Sequence, residues 1–171
     1  MTCDPTLSAL VCACIALAGT ESVPQERAAL VCSAIERLAP HSDLDPVLVA
    51  AVAWRESRFD PAAQGTAGER GVLQVKPYWI LHPRGPFASP YQLHSVEGGV
   101  KAGLLTMVRF RAYAQSSRAR HLGVHPRDWL NCYGAGVACD KPGSQRLAHH
   151  YRRRLLAYMA RIEAQRELDK T

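Results

Sequence analysis

The segment DLDPVLVAAVAWRES, residues 43–57, constrains the fold more than any other part of the sequence. Asp45 is a favoured N-cap residue, and Pro46 suits the first position of a helix, where a missing N–H costs nothing. Apolar residues then lie on every side of the predicted helix, which is typical of a helix in the centre of a bundle. The helix is predicted to end near Arg58. A chain with such a segment needs other helices to cover it.

Helical patterns recur along the chain, and strand patterns are almost absent. Ser22 is predicted to cap a helix with Pro24 in its first turn and Pro40 at its end. Ser95 is predicted to cap a helix over residues 96–115. The other predicted helices cover 7–19, 72–79 with a break at Pro77, 126–136, and 148–167. At 171 residues, the chain is expected to form one all-α domain around a buried central helix.

The apolar stretch LSALVCACIALAG, residues 7–19, has the length of a signal-peptide core. However, Asp4 precedes it and the first basic residue is Arg27, whereas secretory leaders carry a positive amino end. We therefore interpret it as a buried amino-terminal helix. The sequence has no run of about 18 apolar residues, so no stable membrane insertion is expected.

Six cysteines are too few for a disulfide scaffold in a chain of this length. Cys12 and Cys14 are expected to be core thiols. Cys132 and Cys139 enclose a glycine-rich loop, and the sequence leaves open whether or not they form a bridge. No cysteine or histidine spacing fits zinc, and His121 and His125 flank a glycine in a predicted loop. No metal or cofactor is predicted.

The net charge of +6 comes largely from arginines in the second half of the chain. This surplus suggests attraction to a polyanion, although a solvated helix face gives the same pattern. Nucleic acid is not the expected partner, because no groove-reading motif and no aromatics interleaved with the basic residues are present. An anionic cell wall or membrane surface fits the charge as well.

Glu56 places a carboxyl group in the last turn of the predicted central helix. Loss of hydration and the negative end of the helix dipole both favour its protonated form there. Such a carboxyl can donate a proton to a glycosidic oxygen. The alternative is that Glu56 pairs with Arg55 or Arg58, or points to solvent.

Three ordered sequence blocks resemble the lytic transglycosylase domain of the soluble-lytic-transglycosylase type, which has a goose-lysozyme-like fold. They are ESRFDP, GTAGERGVLQ and CYGAG, and the resemblance covers residues 44–156. It implies a lysozyme-like domain with a sugar-binding cleft and Glu56 as the sole catalytic acid. Residues 1–43 would then be amino-terminal helices packed on this domain, and 157–171 the end of the basic carboxyl-terminal helix.

The resemblance also implies a set of substrate-binding residues. Tyr133 would hold the acid in place, Tyr151 would line the cleft, and Tyr78 would border a sugar groove. A core position with its hydroxyl bonded to a carbonyl is the alternative for Tyr133. The complete set is Ser57, Thr66, Gln74, Tyr78, Asn131, Tyr133 and Tyr151, although Ser57 is a stronger candidate for stabilising the helix end than for touching sugar.

The sequence departs from the family pattern at three positions. Gly134 replaces an asparagine, with Asn131 three residues earlier, and Gly99 replaces another. Gly65 stands where the family often has a serine, and Thr66 follows it. These departures put individual sugar contacts in question and leave the acid in place.

The implied substrate is the peptidoglycan glycan strand, cut at the β-1,4 bond between N-acetylmuramic acid and N-acetylglucosamine with formation of 1,6-anhydro ends. A lysozyme-type hydrolase would need a second carboxylate, for which Asp60 and Glu69 are the candidates. An inactive wall-binding or virion structural protein is the third possibility. The expected location is the periplasm or cell wall, for an exported bacterial or phage-encoded protein, and the expected state is a monomer.

Overall fold

The structure is a computed structural model that describes residues 4, 6–80, 87, 89–122, 124, 129–135 and 144–168. Within these residues the regular elements are helices, and β-type pairing is limited to isolated bridges. The helices are α1 (Ala9–Gly19), α2 (Gln25–Leu38), α3 (Pro46–Ser57), α4 (Val96–Gln115), α5 (Ser117–His121), α6 (Trp129–Ala135) and α7 (Ser144–Leu168). The all-α prediction is confirmed. No helix in the described ranges is long and apolar enough to cross a bilayer.

Helix α3 is the predicted central helix. The Asp45 side chain accepts a hydrogen bond from the Val47 amide at 2.9 Å, and Pro46 is the first helical residue, as predicted. Every residue from Val49 to Trp54 is fully buried, because α3 packs on both α2 and α7. Trp54 is therefore a core residue.

Helices α1 and α2 pack on each other and contribute to the same core as α3 and α7. Cys14 of α1 and Cys32 of α2 form a disulfide, with Cα atoms 6.5 Å apart. Cys12 and Cys132 each belong to a further disulfide, and none of the described cysteines is free. The prediction of core thiols at Cys12 and Cys14 is therefore wrong, because the packing of α1 on α2 brings one pair within bridging distance. Cys139 lies outside the described residues.

Two predicted helix boundaries are also wrong. Ser22 has a left-handed φ of 57° and cannot cap α2, which begins at Gln25 after Pro24. Pro77 begins a three-residue 3₁₀ turn, Pro77–Trp79, instead of interrupting a helix over 72–79. Left-handed φ angles at Gly71 and Gln74 prevent that helix from forming.

Helix α4 lies close to the loop that follows α3. Ser95 accepts a hydrogen bond from the Gly98 amide at 3.0 Å, so it caps the helix as predicted. A Cβ atom at Gly103 would collide with the side chain of Leu73. The missing side chain at Gly103 therefore allows residues 71–74 to pack directly on α4.

Helix α7 closes the bundle and is longer at its amino end than the predicted 148–167. Tyr151, Leu155 and Ile162 are buried at helical spacing, while Arg152 to Arg154 are exposed. This face packs on α1, α3 and α6. The basic residues of the tail are thus on the solvent side, and Tyr151 points into the bundle.

Replacing both Cys14 and Cys32 by alanine should lower the free energy of unfolding by about 2–4 kcal/mol, because the bridge restricts the unfolded chain across 18 residues. Urea denaturation measures the change. Leu30→Ala in α2 is the matched control, since Leu30 is 64% exposed and should change stability by no more than about 0.5 kcal/mol. An unchanged urea midpoint in the double variant would contradict the assignment of the bridge as a stabilising element.

Candidate active site

The end of helix α3 positions Glu56. Arg58 and Phe59 both have left-handed φ angles, 55° and 62°, which end the helix at Ser57. Non-glycine residues adopt this conformation at a cost of about 1–2 kcal/mol each. Burial of Phe59 against Trp54, with ring centroids 5.3 Å apart, holds this sharp end in place. Glu56 consequently lies in the last rigid turn of the central helix.

Tyr151 of α7 is the direct partner of Glu56. Its hydroxyl donates a hydrogen bond of 2.6 Å to Oε1 of Glu56. Burial raises the pKa of Tyr151 well above its usual value, and the neighbouring Glu56 charge raises it further, so the hydroxyl remains a donor at neutral pH. No described residue donates to Oε2 of Glu56. One carboxyl oxygen is therefore fixed, and the other is available to carry a proton.

The pKa of Glu56 is raised, mainly because burial removes the carboxylate from water. The Tyr151 hydrogen bond and the Arg55 charge lower this pKa, and the Glu69 charge raises it.

The two neighbouring arginines have other contacts. Arg55 lies over the Tyr151 ring, 5.7 Å from its centroid. Arg58 instead pairs with Glu21 at 3.1 Å. The alternative in which Glu56 forms an ion pair with Arg55 or Arg58 is not observed among the described contacts.

Tyr133 has a different role from the predicted one. Its hydroxyl donates to the carbonyl oxygen of Leu73 at 2.6 Å, so Tyr151 and not Tyr133 holds the acid. The Glu56 charge nevertheless acts on Tyr133, whose pKa is raised well above its usual value by burial and then by that charge. Tyr133 therefore anchors the loop beside the acid, because its position on α6 brings the hydroxyl to Leu73.

Ser57 belongs to the framework of the site. Its Oγ donates to the carbonyl oxygens of Val72 at 2.7 Å and Ala53 at 3.2 Å, and it accepts from the Asp60 amide at 3.1 Å. The single hydroxyl hydrogen is shared between the two carbonyls, so Ser57 has no donor left for a ligand. The assignment of Ser57 as a sugar contact is not supported, and its expected role at the helix end is observed.

Gln74 lies in the loop with a left-handed φ of 47°. Its Nε2 donates to the carbonyl oxygens of Gly71 at 3.0 Å and Ala63 at 3.2 Å. The side chain is therefore locked in one orientation, with Oε1 next to Gly65. Because no described residue donates to Oε1, this oxygen is available to accept a bond from a ligand.

The remaining predicted contacts differ in exposure. Tyr78 is 67% exposed and stacks on Trp79 with centroids 4.9 Å apart. Trp79 contacts Phe110, and Phe110 contacts Tyr133, so a row of aromatic side chains runs from the surface towards Glu56.

Thr66, another predicted sugar contact, is exposed in the loop. Asn131 has a buried Oδ1 without a partner among the described residues, which does not support a sugar contact in this conformation.

Both candidates for a second catalytic carboxylate, Asp60 and Glu69, are hydrogen-bonded and ion-paired. Asp60 accepts from the Ala62 amide at 2.9 Å and pairs with Arg27 at 3.6 Å. Glu69 accepts from the Ala67 amide at 3.1 Å and pairs with Lys76 at 3.4 Å. Asp60 thus stabilises its loop, as expected, whereas Glu69 is close enough to Glu56 to affect its pKa. No sequence pattern indicates this proximity, because it arises from the folding of the loop.

Replacing Ser57 by alanine should lower the free energy of unfolding by about 1–3 kcal/mol, since the Val72 carbonyl would lose its partner in a partly buried position. Thermal and urea denaturation measure the loss. Ser33→Ala, at an exposed position of α2, is the control and should be close to neutral. Equal stability of the two variants would show that the Ser57 hydroxyl does not support the helix end.

Replacing Tyr151 by phenylalanine should raise the pKa of Glu56 further. The hydroxyl stabilises the ionised carboxylate, so its removal leaves the burial effect less opposed. Carbon-13 NMR titration of the Glu56 carboxyl measures the shift. Tyr158→Phe, in the same helix and against Trp54, is the control and should leave that pKa unchanged. A lowered pKa in the Tyr151 variant would contradict the assigned hydrogen bond.

Comparison with known protein families places residues 33–123 in the transglycosylase SLT domain. The match includes Glu56, Ser57, Gln74 and Tyr78, and it ends before Tyr133 and Tyr151. Comparisons with curated proteins and with solved structures gave no significant match. The matched segment is more than half of the 171-residue chain. The protein therefore belongs to the transglycosylase SLT domain family, and its all-α architecture is the lysozyme-like fold of that family.

Proposed function

We propose that the protein is a lytic transglycosylase that cleaves the β-1,4 bond between N-acetylmuramic acid and N-acetylglucosamine in peptidoglycan and leaves 1,6-anhydromuramic acid ends. Family membership supports peptidoglycan as the substrate. The observation that carries the proposal is a single carboxyl, Glu56, with a raised pKa and one oxygen held by Tyr151. These are the properties of a general acid.

The proposed reaction uses one carboxyl twice. Glu56 donates its proton to the glycosidic oxygen as the bond to C1 of the muramic acid residue breaks, and the 2-acetamido carbonyl of the substrate supports the positive charge at C1. The Glu56 carboxylate then takes the proton of the C6 hydroxyl as O6 bonds to C1. No water is consumed, and Glu56 ends protonated.

The protein environment suits both steps. Burial favours the protonated form of Glu56 before the first step, and the Tyr151 hydroxyl and the Arg55 charge stabilise the carboxylate that the step creates. A carboxyl whose pKa is balanced between these effects can act as acid and then as base. The pairing of Asp60 with Arg27 and of Glu69 with Lys76 makes a lysozyme-type hydrolase the weaker alternative.

We further propose that the protein acts outside the cytoplasm, as an exported bacterial or phage-encoded enzyme working in the periplasm or cell wall. Disulfides persist in oxidising compartments, and the described cysteines are all bonded. Peptidoglycan is located there as well. Recovery of the native protein with reduced cysteines would contradict this proposal.

Replacing Glu56 by glutamine should reduce the release of fragments from purified peptidoglycan by at least about a hundredfold, because it removes the general acid but keeps the shape of the side chain. Glu97→Gln on α4, which removes an exposed glutamate that pairs with Lys101, is the control and should retain activity. Mass spectrometry of the wild-type products separates the alternatives. Anhydro ends are one water lighter than hydrolysed ends, and an inactive binding protein releases nothing.

The stability of Glu56→Gln, compared with that of Glu97→Gln and of the wild type, shows whether Glu56→Gln still folds. Because folding raises the pKa of Glu56, this group favours the folded state at low pH. That contribution is lost as the pH rises from the unfolded pKa of about 4.3 through the higher folded pKa. The glutamine variant does not undergo this loss. We therefore expect it to be at least as stable as the wild type at neutral pH, so lost activity would reflect lost chemistry.

A further inference from the structure

The missing side chain at Gly65 is explained by a neighbouring carboxylate. The φ angle of Gly65 is not in the left-handed region, so the backbone there accepts any L-residue. A Cβ atom at Gly65 would collide with Oε2 of Glu69 and would lie 2.8 Å from Oε1 of Gln74. The Glu69 carboxylate occupies this space, so a side chain at position 65 would have to displace it.

The loop holds Glu69 in this position from two sides. Arg70 and Val75 form an antiparallel bridge with two backbone bonds of 3.0 Å, which sets Glu69 opposite Lys76. Oε1 of Glu69 pairs with Lys76, and Oε2 accepts from the Ala67 amide. The Glu69 side chain keeps 24% of its surface exposed. The carboxylate is thus fixed in orientation and still accessible.

Two acceptor oxygens therefore meet above Gly65. Gln74 presents Oε1 because its Nε2 is locked on two carbonyls, and Glu69 presents Oε2 beside it. Lys76 balances the charge of Glu69, which disfavours a metal ion and leaves hydrogen-bond acceptance as the function of the pair. The matching ligand is neutral and rich in hydroxyl or amide N–H donors. An N-acetylated sugar has these groups.

We propose that Glu69 is a substrate-binding residue, whose carboxylate accepts a hydrogen bond from a hydroxyl or acetamido N–H of the glycan beside Gln74, in the space that a side chain at position 65 would otherwise fill. This inference rests on the proposed function. It assigns a sugar contact to Glu69 and not the role of a second catalytic carboxylate. The influence of Glu69 on the pKa of Glu56 is consistent with its position at the same site.

The test measures binding without turnover. Glu56→Gln serves as the parent, and isothermal titration calorimetry gives the Kd of a peptide-free tetrasaccharide of alternating N-acetylglucosamine and N-acetylmuramic acid. Glu69→Ala should weaken binding about tenfold or more, as expected for loss of a bond to a charged group. Glu97→Ala, which removes a glutamate paired with Lys101 on α4, is the matched control and should leave the Kd unchanged.

A second pair of variants separates a sugar contact from a structural effect. Gly65→Ser alone should weaken binding, because its side chain displaces the Glu69 carboxylate. Gly65→Ser combined with Glu69→Ala should recover a Kd within about threefold of the parent, since the serine hydroxyl can accept in place of the carboxylate. Denaturation midpoints confirm that each variant is folded.

The outcomes distinguish this inference from the proposed function. If the parent binds the tetrasaccharide and Glu69→Ala binds it equally well, the role of Glu69 is overturned and the proposed function stands. A double variant as weak as Glu69→Ala would also overturn it. If the parent does not bind the tetrasaccharide and the wild type releases nothing from peptidoglycan, both proposals fail.

Discussion

The hydrogen bond from the Tyr151 hydroxyl to Glu56 determines how the site is built. It joins α3 to α7 across 95 residues of sequence, and it fixes one oxygen of a carboxyl that burial would otherwise leave without a partner. A buried polar group that lacks a partner costs about 1–3 kcal/mol. The packing of α7 on α3, with Tyr151 facing inward, supplies this partner.

The loop between α3 and the 3₁₀ turn at Pro77 lies beside Glu56 and is held by contacts from three helices. Ser57 binds the Val72 carbonyl, Tyr133 binds the Leu73 carbonyl, and Gly103 lets Leu73 pack on α4. Three helices thus hold two consecutive residues, Val72 and Leu73, directly before Gln74. Ser57 and Tyr133 resemble substrate contacts in the sequence but act as supports, because their hydroxyls are used by backbone carbonyls.

The charges around Glu56 act in opposite directions. Burial and Glu69 favour its protonated form, whereas Tyr151 and Arg55 favour its ionised form. In the proposed reaction Glu56 releases and then recovers a proton, which needs this balance, since an excess of either effect would block one step. The glycine at position 65 and the glutamate at 69 are likewise coupled, because the carboxylate of one fills the space that the other leaves empty.

The sequence by itself determined the all-α class, the central helix with its Asp45 cap and the end of that helix, and it indicated Glu56 as the candidate acid. These features depend on local periodicity and capping, or on short motifs, and each is contained in a few neighbouring residues. Only the tertiary structure decided that Tyr151 holds the acid, that Cys14 pairs with Cys32, and that Glu69 lies beside Gln74. Such contacts depend on how distant helices and a folded loop meet in space, which no local pattern specifies.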